Sequence, residues 1–233
     1  MDIIQTLAQQ LNLTAEQVGK TVQLIDEGNT IPFIARYRKE VTGSLDDSVL
    51  RTLDEKLTAL RNLAQRKQEV QDLIGAQGKL TEEVRAAIER AATVTEVDDI
   101  YRPFRPKRKT RASVARERGL EDLAILLFAQ EKSYTPSIEE QAARFVDPER
   151  EVPDVAAALQ GAMDIVAEEV SDNADYRREL RRLTFDAGSL PSKAAKEEDS
   201  VYAMYYDFSE PLRKLPGHRI LAIHRGEKEE FLK

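Results

Sequence analysis

The stretch VLRTLDEKLTALRNLAQRKQEVQDLI, residues 49–74, decides the fold of this protein. Its apolar residues recur mainly at steps of three and four, the spacing of one face of an α-helix. The pattern predicts one helix over about residues 46–74, with Ser44 as its N-cap and Asp47 at the third position. Its apolar stripe runs along about 26 residues, which is about 39 Å of helix. Lys67 interrupts the apolar stripe too early for a coiled coil, so the helix is expected to lie across several other elements. The predicted buried residues are Leu50, Leu53, Leu57, Leu60, Leu63, Val70 and Leu73.

The segments on either side of this helix are also predicted to be helical. Upstream, the sequence predicts two short amphipathic helices, the second entered through a capping box of Thr14 and Gln17. Downstream, it predicts a helix over about residues 82–91 and a second short helix, capped by Thr95 and ending near Tyr101. Two short helices joined by a tight turn have the outline of a helix-turn-helix.

The rest of the chain is predicted to be helical as far as about Leu183 and then to change character. Residues 152–183 form either one helix with a bend or two separate helices. The small and polar segment 188–200 predicts a mobile loop. An apolar run at 219–224, followed by a turn and by residues 229–233, predicts a β-hairpin.

The predicted fold is mainly α: a multi-helical N-terminal region with a helix-turn-helix-like element and a short C-terminal β-hairpin. The apolar end of the chain predicts that it is a fragment of a longer protein. We divide it into residues 1–79 with the long helix, 80–112 with the helix-turn-helix-like element and a basic extended arm, 113–200 as a helical region, and 201–233 as an aromatic segment and hairpin leading into absent downstream domains.

The composition argues against most catalytic and metal chemistry. The chain has no cysteine, which rules out a disulfide, a thiolate nucleophile and a zinc finger. His218 and His224 fall on the predicted strand about 20 Å apart, too far to share a metal. No glycine-rich phosphate loop or nucleophile elbow is present in the sequence. We therefore expect no enzymatic activity and no cofactor. Because no apolar stretch is long enough for a membrane span, we also expect no membrane partner and a cytoplasmic location.

Positive charge is concentrated in one segment of an acidic chain. The net charge is −7, from 35 basic and 42 acidic residues. Residues 102–118 contain eight basic residues and one acid, a local charge of +7, so that the remainder carries −14. A net charge of −7 taken alone argues against a nucleic acid partner, but the local excess favours one.

The segment RPFRPKRKTR, residues 102–111, is the strongest candidate for a functional site. Pro103 and Pro106 predict extended chain, and Tyr101 and Phe104 would add stacking surface beside the charges. Six phosphate contacts on duplex DNA would give log affinity a slope of about −5 against log salt. The alternative, that the arm pairs with acidic helices of its own chain, stays open. The candidate nucleic-acid-binding residues are Arg102, Arg105, Lys107, Arg108, Lys109 and Arg111.

A second basic cluster lies in IARYRKE, where Arg36, Arg38 and Lys39 flank Tyr37. The favoured interpretation of this cluster is structural. Its neighbours Ile31, Phe33, Ile34 and Val41 are predicted to belong to the core, and its arginines to be packed and paired.

Three segments of the sequence resemble the N-terminal half of the Tex family, the bacterial transcription accessory proteins. They are EGNTIPFIARYRKEVTGSLDD (residues 27–47), DDIYRPFRPKRKTRASVARERGLEDLA (98–124) and PGHRILAIHRGEKEEFLK (216–233). The resemblance implies a cytoplasmic, mostly helical, multidomain protein. In this family the helical region is followed by an RNase H-like domain without known nuclease activity, helix-hairpin-helix modules and a C-terminal OB-fold RNA-binding domain. It implies further that the main nucleic acid affinity lies in that last domain.

The resemblance also implies a helix-turn-helix-like element, and residues 80–101 fit it by spacing. Its second helix carries Glu96, Asp98 and Asp99, which would repel phosphate in a major groove. We therefore expect no base reading by this element.

Two hypotheses follow for the function. The first is a helical scaffold of a Tex-like protein that makes weak, auxiliary, sequence-independent contact with RNA or DNA through its basic arm. The second is a protein-interaction module that docks the transcription or translation machinery, with the basic arm packed inside its own protein.

Overall fold

The computed structural model describes residues 2–106, 109–131, 136–196 and 198–233. The chain divides into two compact units, residues 1–106 and 107–233. The described residues form α-helices, short 3-10 turns and a single two-stranded antiparallel sheet, which confirms the mainly α fold. None of the described helices is long and apolar enough to cross a membrane.

The first unit is built around one long helix, α5. Leu50, Leu53 and Leu57, in its N-terminal half, pack with side chains of α1, α2 and α3. Leu63 and Val70, in its C-terminal half, pack with side chains of α6 and α7. The helices of this unit are α1 Ile3–Leu11, α2 Ala15–Asp26, α3 Ile31–Tyr37, α4 Lys39–Thr42, α5 Asp47–Gly75, α6 Glu82–Arg90 and α7 Val94–Tyr101.

The long helix begins at Asp47, as predicted, but its N-cap is Asp46. The Oδ1 of Asp46 accepts a 2.9 Å hydrogen bond from the backbone N–H of Val49. The predicted cap, Ser44, is wrong because this residue closes the preceding helix instead. Its φ is +63°, next to Gly43 at +68°, and its N–H donates to the carbonyl of Lys39 at 2.8 Å. Gly43 and Ser44 both adopt the left-handed conformation that ends α4, so Ser44 is not available as the N-cap of α5.

The predicted buried face of α5 is largely confirmed, since five of its seven members are buried: Leu50, Leu53, Leu57, Leu63 and Val70. Leu60 is half-buried. Leu73 is wrong: its side chain is 43% exposed, and the adjacent Ile74 is fully buried in its place. Adjacent helical positions point about 100° apart, so only one of the two can face the core.

Lys67 continues the buried face of α5 instead of interrupting it. It lies in line with the buried Leu63 and Val70 and is only 6% exposed. Its Nζ donates a 2.6 Å hydrogen bond to the carbonyl O of Glu89, in the last turn of α6. A buried ammonium group is tolerated here because a carbonyl at a helix C-terminus accepts a hydrogen bond from it.

The two short helices of the helix-turn-helix outline, α6 and α7, are present and separated by residues 91–93. The predicted cap Thr95 is wrong. The Oγ1 of Thr93 accepts from the backbone N–H of Glu96 at 3.2 Å, so the helix starts two residues earlier. Val97, Asp99 and Tyr101 of α7 are buried.

The second unit contains helices and the two-stranded sheet. Residues 152–183 belong to two helices rather than one, because Asn173 is extended and its side chain caps the second helix by accepting from the N–H groups of Asp175 and Tyr176 at 3.0 Å each. The elements are α8 Arg111–Glu117, α9 Glu121–Phe128, α10 Ile138–Ala142, α11 Val155–Asp172, α12 Ala174–Ala187, β1 Ser189–Lys193, β2 Asp207–Pro211 and α13 Gly217–Lys228.

The predicted mobile loop at 188–200 is wrong in its first half. Ser189–Lys193 is strand β1, paired antiparallel with Asp207–Pro211 so that Pro191 faces Ser209. The sequence Ser-Leu-Pro-Ser-Lys carries little intrinsic strand preference. Its structure is fixed by pairing with a segment that lies beyond the intervening residues.

The predicted hairpin at 219–233 is wrong, although a two-stranded sheet does lie in the C-terminal part of the chain. Residues 219–224 belong to helix α13, in which Ile223 and Gly226, three positions apart, are buried. An apolar run this short does not distinguish a strand from a buried helix turn. Residues after α13 fold back, and Leu232 pairs with Ala194 at the end of β1. A Cβ on Gly226 would lie 2.6 Å from the Cδ1 of Leu232, so only glycine allows this approach.

Candidate nucleic-acid interface

The start of the predicted basic arm is held against α7 in the first unit. The Nη2 of Arg105 lies 3.1 Å from the Oδ1 of Asp98, and its Cζ lies 5.4 Å from the centroid of the Tyr101 ring. Arg66 donates to the same Oδ1 at 2.7 Å and lies 5.8 Å from the same ring. The hydrogen bond to Asp98 raises the pKa of the Arg66 guanidinium. Arg105 and Tyr101 are therefore both engaged within the unit.

The segment from residue 102 was predicted to be extended, and this is wrong for its first three residues. Arg102–Phe104 form a 3-10 turn, in which the N–H of Arg105 donates to the carbonyl of Arg102 at 3.3 Å. Proline fits the first turn of a helix as well as extended chain, so Pro103 does not prevent the turn. The backbone becomes extended at Arg105, where ψ is 138°. Phe104 is half-buried and packs against the core between α5, α6 and α7, which leaves little of its ring for stacking.

In the second unit, two predicted site residues differ in their surroundings. Lys109 is exposed and forms no ion pair within the described part of the chain. Arg111, the first residue of α8, has an 86% exposed side chain whose Nε lies 3.7 Å from the Oδ1 of Asp164. Lys107 and Arg108 lie outside the described residues.

The last two basic residues of the charged segment pair within the second unit. Arg116 donates to Glu168 at 2.8 Å and also lies within 4 Å of Glu121 and Glu169. The hydrogen bond to Glu168 raises the pKa of the Arg116 guanidinium. Arg118 pairs with Glu151. The local excess of positive charge is therefore smaller at the surface than the sequence suggests.

The acids of α7 have structural roles. The Oε2 of Glu96 accepts from the backbone N–H of Ala92 at 2.7 Å, next to the Thr93 cap. Asp98 pairs with two arginines, and Asp99 is buried. These acids therefore make contacts within the first unit, and the expectation that α7 reads no bases stays a prediction.

The second basic cluster departs from its predicted role. Its apolar neighbour Ile34 is fully buried, as predicted. The predicted pairing of the arginines is wrong: within the described residues, no carboxylate lies within 4 Å of a side-chain nitrogen of Arg36, Arg38 or Lys39. Tyr37 is 56% exposed. Together with Phe33, these four residues form a surface on α3 and α4 that we call the α3–α4 patch. Of its residues, only Phe33 was predicted to belong to the core, and the arginines were predicted to be packed and paired.

The histidines do not form a metal site. His218 and His224 lie on α13, not on a strand, and His224 Nδ1 is 3.5 Å from the Oε2 of Glu227. No group of three or more His, Cys, Asp or Glu side chains among the described residues is placed to hold a metal ion.

An open groove in the second unit was not predicted. It has a volume of about 570 Å³ and is lined by α12 and by Leu212. Leu180 and Phe185 are its main exposed apolar side chains, and none of the residues of α12 is buried. Its lining is mostly apolar, so it is not part of the candidate nucleic-acid interface.

Two family models match most of the chain. The Tex-like protein N-terminal domain matches residues 1–75, and the Tex central region-like model matches residues 133–233.

Individual relatives align along almost all of this chain but over a minor part of their own length. Protein tex of Bordetella pertussis is 44% identical over 99% of the chain and 29% of that protein. The transcriptional accessory protein Tex of Neisseria gonorrhoeae is 39% identical over 100% of the chain and 30% of that protein. S1 RNA-binding domain-containing protein 1 of Homo sapiens is 30% identical over 99% of the chain and 24% of that protein. The chain thus spans between about a quarter and a third of the length of these relatives.

Proposed function

Because this chain belongs to the Tex family of transcription accessory proteins, we propose that it is a helical scaffold that makes auxiliary, sequence-independent contact with nucleic acid. The names of two relatives, a transcriptional accessory protein and an S1 RNA-binding domain-containing protein, support an association with transcription and with RNA. The proposal places this role in the cytoplasm and assigns no catalytic step to the chain.

The observation that carries the proposal is the charge of residues 102–118, eight basic residues against one acid in a chain of net charge −7. The ion pairs of Arg105, Arg116 and Arg118 reduce the charge available to a ligand. The contact is therefore expected to depend on residues 107–111, of which Lys109 and Arg111 are described and exposed.

The expected contact is electrostatic. Lysine and arginine side chains neutralise phosphates and release counterions, which gives affinity without base recognition. Four such contacts on a single strand predict a slope of about −3 for log affinity against log salt, or about a 50-fold loss between 50 and 200 mM.

The test is a fluorescence-anisotropy titration of labelled single- and double-stranded nucleic acid at these two salt concentrations. The arm variant changes Lys107, Arg108, Lys109 and Arg111 to Ala. The control variant removes the same number of charges from exposed residues with no ion pair in the described structure: Lys79, Arg90, Lys214 and Lys228.

We expect the arm variant to bind more weakly than the control variant and with a shallower salt slope. If the wild-type chain fails to bind at 50 mM salt, the proposed function is wrong. If it binds and the arm variant matches the control, the assignment of the contact to the arm is wrong.

A second candidate function is a protein-interaction module that docks the transcription or translation machinery. The ion pairs of Arg105 with Asp98 and of Arg111 with Asp164 favour it, because they use arm charges inside the chain. This candidate predicts that the wild-type chain does not bind nucleic acid. It also predicts that Arg105→Ala has a lower melting temperature than the wild type.

A further inference from the structure

The α3–α4 patch, formed by Phe33, Arg36, Tyr37, Arg38 and Lys39, reaches the surface because α3 buries only one side. Arg36, Tyr37 and Lys39 are exposed, and Phe33 and Arg38 are half-buried. Ile34 is fully buried against Leu24, Leu45 and Leu50. Phe33, Arg36 and Tyr37 follow the i, i+3, i+4 spacing of a second face, which points away from that core.

The rings of the patch form a continuous surface with its guanidinium groups. The ring centroids of Phe33 and Tyr37 lie 5.3 Å apart, at an interplanar angle of 47°. The Cζ of Arg38 lies 5.1 Å from the centroid of Phe33, and that of Arg36 lies 6.0 Å from the centroid of Tyr37. Because over half of Tyr37 remains exposed, its ring can accept a further planar group.

The positive charges of the patch are not used by the fold. Elsewhere in the first unit, Arg61 pairs with Asp26 and Arg66 pairs with Asp98. Among the described residues, no carboxylate lies within 4 Å of a side-chain nitrogen of Arg36, Arg38 or Lys39. This includes the carboxylate of the neighbouring Glu40. In the described part of the chain, the only hydrogen bond that the Arg38 side chain donates goes to the backbone carbonyl of Tyr37, at 3.0 Å.

We propose that the α3–α4 patch binds single-stranded nucleic acid, with a base stacked on Tyr37 and phosphates contacted by Arg36, Arg38 and Lys39. An exposed aromatic ring among cations that have no acidic partner is the combination that holds single strands without regard to sequence. A duplex offers phosphates but no exposed base face. This proposal rests on the proposed function and gives it a second contact surface, separate from the arm.

The charges alone would also suit an acidic peptide. The exposed ring favours nucleic acid, since every base presents a flat π face to an aromatic side chain and a carboxylate does not. An acidic peptide is therefore the competing ligand in the test.

The test compares five variants with the wild-type chain, the fifth being Tyr37→Phe. Arg36, Arg38 and Lys39 are changed together to Ala, with the Ala variant of Lys79, Arg90 and Lys228 as the charge-matched control. Tyr37→Ala removes the ring, and Tyr176→Ala, at an exposed tyrosine of α12, is its control. Each variant is titrated with oligo(U), oligo(dT), an abasic oligomer of the same length and a DNA duplex, after a thermal melt to verify folding.

We expect Tyr37→Ala to weaken oligo(U) and oligo(dT) binding by about five- to tenfold, the lower part of the range for one stacked base. It should leave abasic and duplex binding unchanged. The triple variant should weaken binding to every single strand and reduce the salt slope by about 2. Tyr37→Phe, which keeps the ring, should bind like the wild type.

Several results would overturn the proposal. If the patch variants bind like their controls while the arm variant loses affinity, the patch is wrong and the proposed function stands. If Tyr37→Ala weakens abasic and base-bearing strands equally, no base stacks on it. If poly-glutamate displaces oligo(U) from the wild type but not from the triple variant, at concentrations no higher than oligo(U) itself requires, the patch is a protein-binding surface. Failure of the wild type to bind any nucleic acid would end both proposals.

Discussion

Arg105 and Asp98 form an ion pair, with Nη2 3.1 Å from Oδ1, that ties the first residues of the basic arm to α7. Arg66 donates to the same carboxylate oxygen at 2.7 Å. One carboxylate of α7 is therefore shared by two arginines. The first residues of the arm thus pack within their own unit, as the second of the two sequence hypotheses expects.

Replacing Asp98 by Asn should strengthen nucleic acid binding. The substitution keeps the size of the side chain and removes the negative charge that Arg105 and Arg66 now share. Each arginine that then reaches a phosphate should steepen the salt slope by about 0.7 on a single strand. Anisotropy titrations at several salt concentrations measure this. An affinity equal to or below that of the wild type, in a variant that melts as a folded protein, would show that these arginines do not reach the ligand.

The burial pattern of α5 predicts opposite results for two of its leucines. Leu57 is 2% exposed, so Leu57→Ala should lower the free energy of unfolding by about 2 to 5 kcal/mol. Leu73, near the other end of the same helix, is 43% exposed. Leu73→Ala should therefore lower the free energy of unfolding by less than about 1 kcal/mol. Urea denaturation of both variants checks this pair. Equal losses would place the wrong face of α5 in the core.

Lys67 should be important for stability even though it is charged. Lys67→Met keeps most of the buried side-chain volume but removes the donor to the carbonyl of Glu89. A hydrogen bond from a charged donor such as this one contributes about 1.5 to 3 kcal/mol, so its loss should destabilise the protein by about that amount. Lys79→Met, at an exposed lysine, is the control and should be nearly neutral. A Lys67→Met protein as stable as the wild type in urea would mean that burial of the ammonium group costs as much as its hydrogen bond contributes.

The pair of Asp26 and Arg61 should make stability depend on pH in the acid range. Two hydrogen bonds, of 2.7 and 2.8 Å, join the side chains, and the bond from Arg61 lowers the pKa of Asp26. A carboxyl whose pKa is lower in the folded state stabilises the fold above its unfolded pKa, about 3.9, and this contribution disappears as pH falls through the folded value.

Comparison with Asp26→Asn isolates this contribution. At neutral pH the wild type should be more stable than the variant by about 0.2 to 1 kcal/mol, the range for exposed pairs. The difference should shrink below about pH 4. Urea melts at a series of pH values measure it, and a difference that stays constant or grows towards low pH would contradict the assignment.

The parts of the fold that were predicted correctly are those in which local sequence decides. The period of α5 and the capping box of Thr14 with Gln17 both appear as expected. Strand β1 was missed because Ser189–Lys193 becomes a strand through pairing with Asp207–Pro211, which lies further along the chain. Helix α13 was missed because the apolar run at 219–224 is too short to distinguish a strand from a buried helix turn.

The same limit applies to the candidate interface. The excess of basic residues at 102–118 is a local property and was visible in the sequence. The pairing of Arg111 with Asp164 was not visible in the sequence, because it joins residues far apart in the chain. In the α3–α4 patch, apolar neighbours suggested a core, but Ile34 buries one side of a helix whose other side carries Tyr37 and Arg36. Only the fold distinguishes a paired arginine from one that is available to a ligand.

Photo-crosslinking tests the central claim most directly, because it reports which residues touch nucleic acid. Oligo(U) containing 4-thiouridine is bound to the wild-type chain and irradiated, and the crosslinked peptides are identified by mass spectrometry. We predict crosslinks in residues 33–39 and 107–111, which disappear at high salt. Crosslinks confined to other segments, such as α12 or α13, or none under conditions in which a known single-strand-binding protein reacts, would contradict the account.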